Sequence, residues 1–273
     1  MGHLTGLQVL RNSLLKLIFE ALGTFFLTLT FNSTQKLGFG GNQTSLLLVL
    51  WVMSIFGMKI SGAHYNPAIS LSFCFRKDVG SFPRILALGY IIFQCLGAFA
   101  GALVSWFLYV PQPGAMLSYT SGLIYPVEYP DADGVASIAK SRFAAIIAEP
   151  LGAFFVSFFY LTQTEEKTVF SKEKAINCFI IASAYVGSRS MLAGTSFTYS
   201  GAVLNPAIAL GTSFTQLFDR GVDGFQEVWI YALLPFIGAV LAVLFHEFVF
   251  KKTHEVLADD GNESDDNDTL LDK

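Results

Sequence analysis

Charged residues are scarce in this sequence. Asp, Glu, Lys and Arg make up 14% of its 273 positions, whereas soluble domains carry about 25%. Hydrophobic residues make up 53%, and the mean hydropathy is +0.53. So large a deficit of charge excludes an ordinary soluble domain and indicates a membrane protein.

Cysteine and the patterns of enzymes are also nearly absent. The three cysteines, Cys74, Cys95 and Cys178, all lie in apolar stretches, and an odd number of this kind argues against a disulfide framework. The histidines and cysteines lack the spacing of a metal site, and the sequence has neither a P-loop nor a nucleophile elbow. The sequence therefore predicts no metal, no cofactor and no enzymatic activity.

One nine-residue phrase occurs twice. It reads Ser-Gly-Ala-His-Tyr-Asn-Pro-Ala-Ile at 61–69 and Ser-Gly-Ala-Val-Leu-Asn-Pro-Ala-Ile at 200–208, with seven identical positions. Asparagine is a good N-cap and proline suits the first position of a helix. Each copy predicts a helix of roughly 10 residues, about 15 Å long. Two such helices end to end match the hydrocarbon core of a membrane, about 30 Å.

The repetition extends beyond this phrase. Three landmarks recur in the same order, 129, 139 and 141 residues apart: Glu20 with Glu149, Asn66 with Asn205, and Gly97 with Gly238. Each copy contains three full spans, and because three is odd the second copy enters the membrane upside down. This is an inverted repeat, and such repeats place the functional site near the middle of the membrane.

Six apolar stretches predict full spans, at 14–31, 46–60, 84–109, 143–161, 175–192 and 229–250. We expect a short tail at 1–12 and a membrane domain at 13–250, with repeats at about 13–109 and 141–250. The last segment, 251–273, is rich in acidic residues and has no periodicity, which predicts a disordered tail.

The basic residues predict the orientation. With the N-terminus in the cytoplasm, eleven Lys and Arg residues lie inside and four outside, so both termini are expected to be cytoplasmic. The sequons at Asn32 and Asn42 fall in a predicted loop at 32–42 and would then lie outside, as candidates for glycosylation. The sequence does not distinguish the plasma membrane from a vacuolar membrane.

Four polar residues in apolar surroundings are candidate functional residues. Glu20 and Glu149 lie within spans, where a carboxyl group needs a partner unless it reaches the interface. Two half-helices that meet by their N-termini direct both positive dipole ends at the centre. The Asn66 and Asn205 amides there can donate hydrogen bonds to a passing molecule, or they can serve as N-caps alone.

Together with Gln94 in the third span and Trp229-Ile-Tyr-Ala-Leu-Leu-Pro235 in the sixth, these features resemble the aquaporin (major intrinsic protein) family. The resemblance covers about residues 13–250. It implies an all-α multi-pass membrane protein with six transmembrane helices and two re-entrant half-helices. It also implies one pore per subunit, a homotetramer in the lipid bilayer, and passage of water or small neutral solutes.

The resemblance also assigns roles to individual residues. The two motifs, Asn66-Pro67-Ala68 and Asn205-Pro206-Ala207, would line the pore. Glu20, Gln94 and Glu149 would hold the re-entrant loops in place. His64 matches a histidine at the cytoplasmic mouth of the pore, although an ordinary loop histidine is an equally good interpretation.

The narrow filter departs from the family pattern. Its four positions fall on Leu46, Ala193, Ala202 and Ile208, which are all apolar, and the usual arginine is missing. Exclusive selectivity for water is therefore not expected. Arg189 lies four residues before Ala193, on the same helix face. Our hypothesis is that Arg189 faces the pore and replaces the missing arginine. The alternatives are a structural pairing with a glutamate or with loop carbonyls, or a tilt of the helix that takes Arg189 to an interface.

Two other functions remain compatible with the sequence. A coupled secondary transporter also uses inverted repeats and broken helices, but it needs an ion site at the middle of the membrane. A structural membrane protein with a closed pore is the weaker alternative. A passive channel is the interpretation that the sequence favours.

Overall fold

A computed structural model of the chain describes residues 6–36, 43–76, 82–109, 138–192 and 201–257. These segments are almost entirely helical. Six long helices are α1 (Gly6–Lys36), α2 (Gln43–Met58), α4 (Arg84–Tyr109), α5 (Ile138–Thr164), α6 (Lys174–Leu192) and α8 (Val228–Phe245). Two shorter helices, α3 (Pro67–Cys74) and α7 (Pro206–Arg220), begin at the two Asn-Pro motifs.

Five of the described helices are long and apolar enough to cross a membrane: Gln8–Ser33, Arg84–Leu108, Arg142–Thr164, Lys174–Leu192 and Val228–Leu257. The last of these is α8 together with a π-helical segment, His246–Phe250, and the helical residues that follow it. The remaining long helix, α2, is apolar and has 16 residues, which corresponds to about 24 Å. The predicted all-α multi-pass fold is confirmed.

Equivalent glycines bring the long helices of each half together. α1 packs along α4, and α5 packs along α8. Gly97 of α4 lies against the backbone of Ala21, and Gly238 of α8 lies against the backbone of Pro150. Small residues allow helices in lipid to approach this closely. Because Ala21 and Pro150 directly follow the repeated glutamates, the two contacts are related by the repeat.

The two half-helices lie in the middle of the helix bundle. Both α3 and α7 pack against α4 and α8, and they contact each other. Each half-helix is therefore held by a long helix of the other repeat as well as by its own. This arrangement places the beginnings of both half-helices near the centre of the fold.

The half-helices have unequal lengths. α3 has 8 residues and α7 has 15, or about 12 and 22 Å, instead of the expected 10 residues each. α7 then continues into a single 3₁₀ segment, Gly221–Phe225. The repeat therefore conserves the start of the half-helix more strictly than its end.

The predicted loop at 32–42 is wrong in its first part. α1 begins at Gly6 and continues to Lys36, so it also includes much of the expected tail at 1–12. The Ser33 hydroxyl bonds back to the carbonyl of Leu29 at 2.8 Å, so this polar sequence does not end the helix. Asn32 is 0% exposed, which rules it out as a glycosylation site. Asn42 lies outside the described residues.

The predicted disordered tail at 251–273 is also wrong in its first part. The helix that contains α8 continues to Leu257. Lys251 is buried and pairs with Glu165 at 2.8 Å and with Glu247 at 3.1 Å. These ion pairs fix the start of the segment, and residues 258–273 lie outside the described part of the chain.

Candidate pore

The loops before the two half-helices have the same unusual backbone. In each loop a glycine and two other residues have positive φ angles, a region that side chains other than glycine rarely adopt. The φ angles are +95°, +57° and +50° in the first loop and +80°, +40° and +56° in the second. These residues are Gly62, Ala63 and Tyr65 in the first loop and Gly201, Ala202 and Leu204 in the second. Such strain persists only where surrounding contacts impose it.

A buried carboxylate imposes this shape in each half. Glu20 accepts hydrogen bonds from the backbone N–H groups of His64 and Tyr65, at 3.0 and 2.7 Å. Glu149 accepts from the N–H groups of Val203 and Leu204, at 2.7 Å each. The two carboxylates therefore hold the same two positions of their loops.

Further hydrogen bonds surround the first loop. Glu20 also accepts from the Ser61 hydroxyl at 2.6 Å and from the Gln94 amide at 2.7 Å. The same Gln94 amide donates to Ser70 in α3 at 2.9 Å, and the Tyr90 hydroxyl donates to the Ser61 carbonyl at 2.6 Å. The structure thus brings Glu20 and Gln94 together beside the first loop.

A cation contacts the second loop. Arg189 is 0% exposed, and its guanidinium donates to the carbonyl of Ala202 at 2.6 Å. The guanidinium also lies 4.0 Å from the centre of the Phe31 ring, a cation–π contact. The Tyr185 hydroxyl donates to the carbonyl of Val203 at 2.9 Å. Arg189 thus makes the loop-carbonyl contact that was one of the alternatives to a pore-facing role.

Both asparagines are N-caps, as the sequence predicted. The side-chain oxygen of Asn66 accepts from the N–H of Ala68 at 2.9 Å, and that of Asn205 accepts from the N–H of Ala207 at 3.0 Å. In both helices the proline, Pro67 or Pro206, occupies the start. The side-chain oxygens therefore face their own helices, and the amide NH₂ groups point elsewhere.

The amide NH₂ groups cross between the two loops. Asn66 donates to the carbonyl of Leu204, and Asn205 donates to the carbonyl of Tyr65, both at 2.9 Å. The crossing joins the two re-entrant segments at their closest approach. An asparagine amide carries two N–H groups. Each of the two asparagines therefore has a second N–H that the crossing bond does not use.

A small cavity lies beside the two asparagines. Its volume is about 20 Å³, enough for about one water molecule. The described residues that line it include five polar ones, His64, Asn66, Tyr160, Tyr185 and Asn205, and the others among them are apolar. We call this space the central cavity.

A much larger space opens next to it. This second cavity, which we call the vestibule, has a volume of about 970 Å³ and is lined by several charged residues from the α5–α6 connection, among them Glu165, Lys172 and Lys174. Among the residues that the structure describes, His64 and Tyr160 line both spaces. His64 therefore stands between the vestibule and the central cavity.

The predicted filter residues that the structure describes lie close together. Leu46, Ala202 and Ile208 are each 0% exposed and belong to one apolar cluster that also contains Phe31. Their side chains offer no hydrogen-bond donor. Ala193, the fourth position, lies outside the described residues. Arg189 contacts this group through Ala202 and Phe31.

A buried charge cluster beside the vestibule was not anticipated from the sequence. Glu165 pairs with Arg76 at the end of α3 and with Lys251, at 2.8 Å each, and Lys251 also pairs with Glu247. Glu165, His246 and Glu247 bring donor atoms close enough to hold a metal ion. However, Arg76 and Lys251 already neutralise both carboxylates, so this cluster is an ion-pair network that joins α3 to the last helix.

The sequence analysis also missed Tyr160 and Tyr185. Both are buried, and each hydroxyl bonds a carbonyl of a re-entrant loop, Gly62 and Val203 respectively. A signal was available, since a tyrosine within an apolar span usually needs a partner for its hydroxyl. Which carbonyl takes that hydroxyl depends on the packing of distant helices and has no pattern in the sequence.

Comparisons with known proteins agree with this geometry. The family model described as major intrinsic protein matches residues 11–246. An uncharacterized aquaporin-like protein from Haemophilus influenzae is 27% identical over 224 residues, 80% of this chain and 92% of the relative. The probable aquaporin PIP1-2 of Oryza sativa subsp. japonica is 29% identical over 226 residues, 81% of this chain and 70% of the relative.

A solved structure shares the fold. The aquaglyceroporin from Plasmodium falciparum superimposes with a TM-score of 0.69 at 22% identity, covering 89% of this chain and 99% of that one. The helix arrangement, the paired half-helices and the family match over most of the sequence lead to one conclusion. The chain belongs to the major intrinsic protein family, the aquaporins, which are membrane channels for water or small solutes.

Proposed function

We propose that the chain is a passive channel whose path runs between Asn66 and Asn205. The crossed amides carry this proposal, because they place two donors at one small cavity between two half-helix N-termini. An N-cap role alone does not require the amides to meet. The free N–H of each amide can bind a molecule in the central cavity.

The arrangement favours neutral molecules over ions. A water molecule that accepts from both amides has its lone pairs occupied, so it cannot accept a hydrogen bond from the next water in the file. The N-terminal ends of α3 and α7 carry partial positive charge, which repels cations. The rest of the central cavity is apolar and does not replace the hydration of an ion.

The filter residues extend the range of solutes. Leu46, Ala202 and Ile208 provide an apolar constriction without the donors that orient water. The expected substrates are therefore water and small neutral solutes, with no exclusive preference for water. The Arg189 guanidinium lies behind Ala202, where its positive charge adds to the barrier against cations.

The buried carboxylates support the path rather than line it. Glu20 and Glu149 hold the strained loops by two backbone N–H groups each, and Gln94 links Glu20 to α3. Their role is to keep both asparagines in position. These backbone contacts account for both glutamates, so neither has to be explained as the ligand of a coupling ion.

The placement in the membrane follows the sequence pattern. We propose a homotetramer with one pore per chain and with both termini in the cytoplasm, as the basic residues indicate. The vestibule then opens to the cytoplasm. The channel domain extends from α1 to the end of the last helix at Leu257, and its two repeats contain α1–α4 and α5–α8.

Osmotic swelling of proteoliposomes tests the proposal. Purified protein is reconstituted, and fluxes of water, glycerol, urea, ammonia and hydrogen peroxide are compared with those of empty vesicles. We expect flux above background for water or at least one of these solutes. Background flux for every one of them, with correctly folded protein in the vesicles, would contradict a channel.

A second measurement separates a channel from a coupled transporter. The same vesicles are given a sodium or proton gradient without a solute gradient. A passive channel accumulates no solute under these conditions, whereas a coupled transporter does. Accumulation that depends on the ion gradient would replace the channel proposal with the transporter.

A further inference from the structure

A histidine lies inside the buried charge cluster around Glu165. His246 is 0% exposed and begins the π-helical segment of the last helix. Segments of this kind are rare and frequently occur at functional sites. The rings of Phe158 and Phe250 pack against it, with centroids 6.3 and 6.1 Å away. The proposed path does not use His246, but its neighbour Glu165 lines the vestibule.

The two ring nitrogens of His246 face two different carboxylates. Nε2 lies 3.9 Å from Glu165 Oε2, and Nδ1 lies 3.6 Å from Glu247 Oε1. The Thr168 hydroxyl oxygen also lies 3.5 Å from Nε2. Within the part of the chain that the structure describes, His246 Nδ1 and Glu247 Oε1 are buried and have no hydrogen-bond partner. The ring is thus placed to donate in two directions.

A neutral imidazole cannot donate to both carboxylates. It carries one N–H and one lone pair, whichever tautomer it adopts. One carboxylate oxygen therefore always faces a lone pair, and a buried acceptor without a donor is costly. An imidazolium carries an N–H on both nitrogens. The protonated ring is therefore the form that matches Glu165 and Glu247 together.

Two permanent cations compete with a proton on His246. Arg76 donates to Glu165 Oε2 at 2.8 Å, and this is the oxygen that His246 Nε2 faces. Lys251 bridges Glu165 Oε1 and Glu247 Oε2, at 2.8 and 3.1 Å. Because these two cations already balance the two carboxylates, a third positive charge repels them. A proton on His246 therefore weakens the bond between Arg76 and Glu165.

Arg76 connects this cluster to the vestibule. It directly follows the C-cap of α3, its side chain is 3% exposed, and its guanidinium lies 5.0 Å from the centre of the Phe73 ring. Phe73 and Glu165 both line the vestibule, and the centre of the Phe73 ring lies 4.5 Å from that of His64. The bond between Arg76 and Glu165 therefore fixes the end of α3 beside the vestibule.

We propose that His246 is a proton-sensitive residue, and that a proton on its ring releases Arg76 from Glu165 and lowers flux through the vestibule. This inference rests on the proposed channel function. Without the proton, Arg76 holds the end of α3 against the α5–α6 connection. With the proton, His246 bonds both carboxylates, and the Arg76 guanidinium turns to the adjacent vestibule. There the guanidinium and the loosened Phe73 ring obstruct a solute.

Flux as a function of pH tests this proposal. Unmodified protein and His246→Gln are reconstituted at equal content, and swelling is followed from about pH 8 to about pH 5, a range that includes the ordinary pKa of histidine, about 6.5. Glutamine keeps one amide donor but takes up no proton. We expect the flux of the unmodified protein to fall about fivefold at the acidic end, which corresponds to about 1 kcal/mol for one hydrogen bond. The flux of His246→Gln should stay at its alkaline value.

His254→Gln is the matched control. His254 lies on the same helix, where it is exposed, and its ring meets that of Phe250 edge-on at 4.7 Å. The control removes a histidine from the same face of the membrane and leaves the cluster intact. We expect the pH response of the unmodified protein. A loss of response as large as that in His246→Gln would overturn the assignment to the buried cluster.

The thiol of Cys74 reports the release of Arg76 without any flux. Cys74 lies two residues before Arg76 and is partly exposed. With Cys95 and Cys178 replaced by serine, its rate of alkylation is compared between the unmodified and the His246→Gln background. The ratio of the two rates cancels the ordinary effect of pH on a thiol. We expect this ratio to rise about fivefold on acidification, and a constant ratio would overturn the proposal.

A second variant serves should His246→Gln fail to fold. Glu247→Gln removes the acceptor that the protonated Nδ1 would bond and leaves Lys251 its partner Glu165. We expect the fall in flux on acidification to be smaller than in the unmodified protein. A response of unchanged size would contradict the part that His246 and Glu247 play together.

The remaining outcomes separate this inference from the channel proposal. If the unmodified protein conducts equally across the pH range, the channel stands and the role of His246 is wrong. If flux falls equally in His246→Gln, another group, such as the buried carboxyl of Glu20 or Glu149, is responsible, and the proposal is overturned. If no probe passes at any pH, the channel proposal fails, and the alkylation of Cys74 alone decides whether His246 releases Arg76.

Discussion

The two re-entrant loops share a backbone but differ in the side chains that support it. Each loop has three residues with positive φ, and each is held at two adjacent N–H groups by one buried glutamate. Around the first loop, neutral partners complete the support, among them Ser61, Gln94 and Tyr90. Beside the second loop stands the cation of Arg189.

The comparison shows which features both halves of the repeat share and which features differ between them. The backbone and the carboxylate place the asparagines, and both asparagines must reach the same cavity. The supporting side chains instead differ between the two loops. Neutral side chains support the first loop and a cation contacts the second, so the two loops have different chemical surroundings.

Removal of the carboxylates tests the shared part of the comparison and should have the largest effect. Glu20→Ala and Glu149→Ala each leave two buried N–H groups without a partner, at about 1 to 3 kcal/mol for each group. We expect both variants to lose most of their folded protein in detergent, with Glu20→Ala the more severe because it also frees Ser61 and Gln94. Size-exclusion profiles and thermal unfolding measure this.

The ranking of the two variants is informative in itself. Gln94→Ala serves as the control, since it removes one side-chain partner and leaves the carboxylate on the loop. It should lower the melting temperature less than either glutamate variant. Unchanged folding of Glu149→Ala would show that the second loop keeps its shape without its carboxylate.

Loss of ion pairs should have the next largest effect on stability, and this effect should differ between the buried pairs of Lys251 and the exposed pair of Arg142. Lys251→Met leaves Glu165 and Glu247 buried with fewer partners, and breaking a buried pair costs about 3 to 5 kcal/mol. The control is Arg142→Met, which loses a pairing with Glu227 in which the arginine side chain is 47% exposed. We expect at most about 1 kcal/mol for it. If Lys251→Met and Arg142→Met lowered thermal stability equally, the buried ion-pair cluster around Glu165 would not have the structural role inferred for it.

Substitution of Arg189 tests the difference between the two loops directly. Loss of a hydrogen bond from a charged group costs about 1.5 to 3 kcal/mol, so Arg189→Ala should lower thermal stability and increase cation or proton leak. Neutral-solute flux should be kept or increased. Arg189→Lys keeps the charge but loses the planar contacts, so it should restore ion exclusion more completely than stability.

The readouts for Arg189 are unfolding temperature and ion leak in proteoliposomes. If Arg189→Ala folds normally, conducts as before and leaks no ions, the arginine has neither role. If Arg189→Lys has both the thermal stability and the ion exclusion of the unmodified protein, the positive charge alone accounts for the role of Arg189.

Glycine contacts should give the smallest and most symmetric effects. Gly97→Ala and Gly238→Ala each force a methyl group against a neighbouring backbone, and overpacking costs about 1 to 3 kcal/mol. Gly187→Ala is the control, because nothing described lies within 4 Å of its added carbon. There the better helix propensity should raise stability by up to about 1 kcal/mol. Thermal unfolding of the three variants checks whether the two halves respond alike.

Much of the fold could be predicted from the sequence because it depends on local patterns. The spans follow from apolar length, and the start of each half-helix follows from Asn-Pro. The inverted arrangement follows from the repeat and an odd number of spans. The ends of α1 and of the last helix were mispredicted because polar residues there are satisfied within helices, by a back-bond at Ser33 and by ion pairs at Lys251.

The site divides in the same way. Glu20, Gln94 and the two asparagines were identified because a repeat or a family pattern marks them. Tyr160 and the cluster around Glu165 were not, since their partners lie 98 and 86 residues away, at Gly62 and Lys251. Only the folded chain brings such pairs together, and no period or motif in the sequence records them.

The most direct measurement compares Asn66→Asp and Asn205→Asp with the unmodified protein in swelling and ion-leak assays. Aspartate is as good an N-cap as asparagine, so both half-helices should still begin where they do, but the amide donors are lost and negative charge faces the central cavity. We expect folded protein in which flux of neutral solutes falls about fivefold or more and cations leak. Unchanged flux and unchanged ion exclusion in both variants would contradict a path between the asparagines.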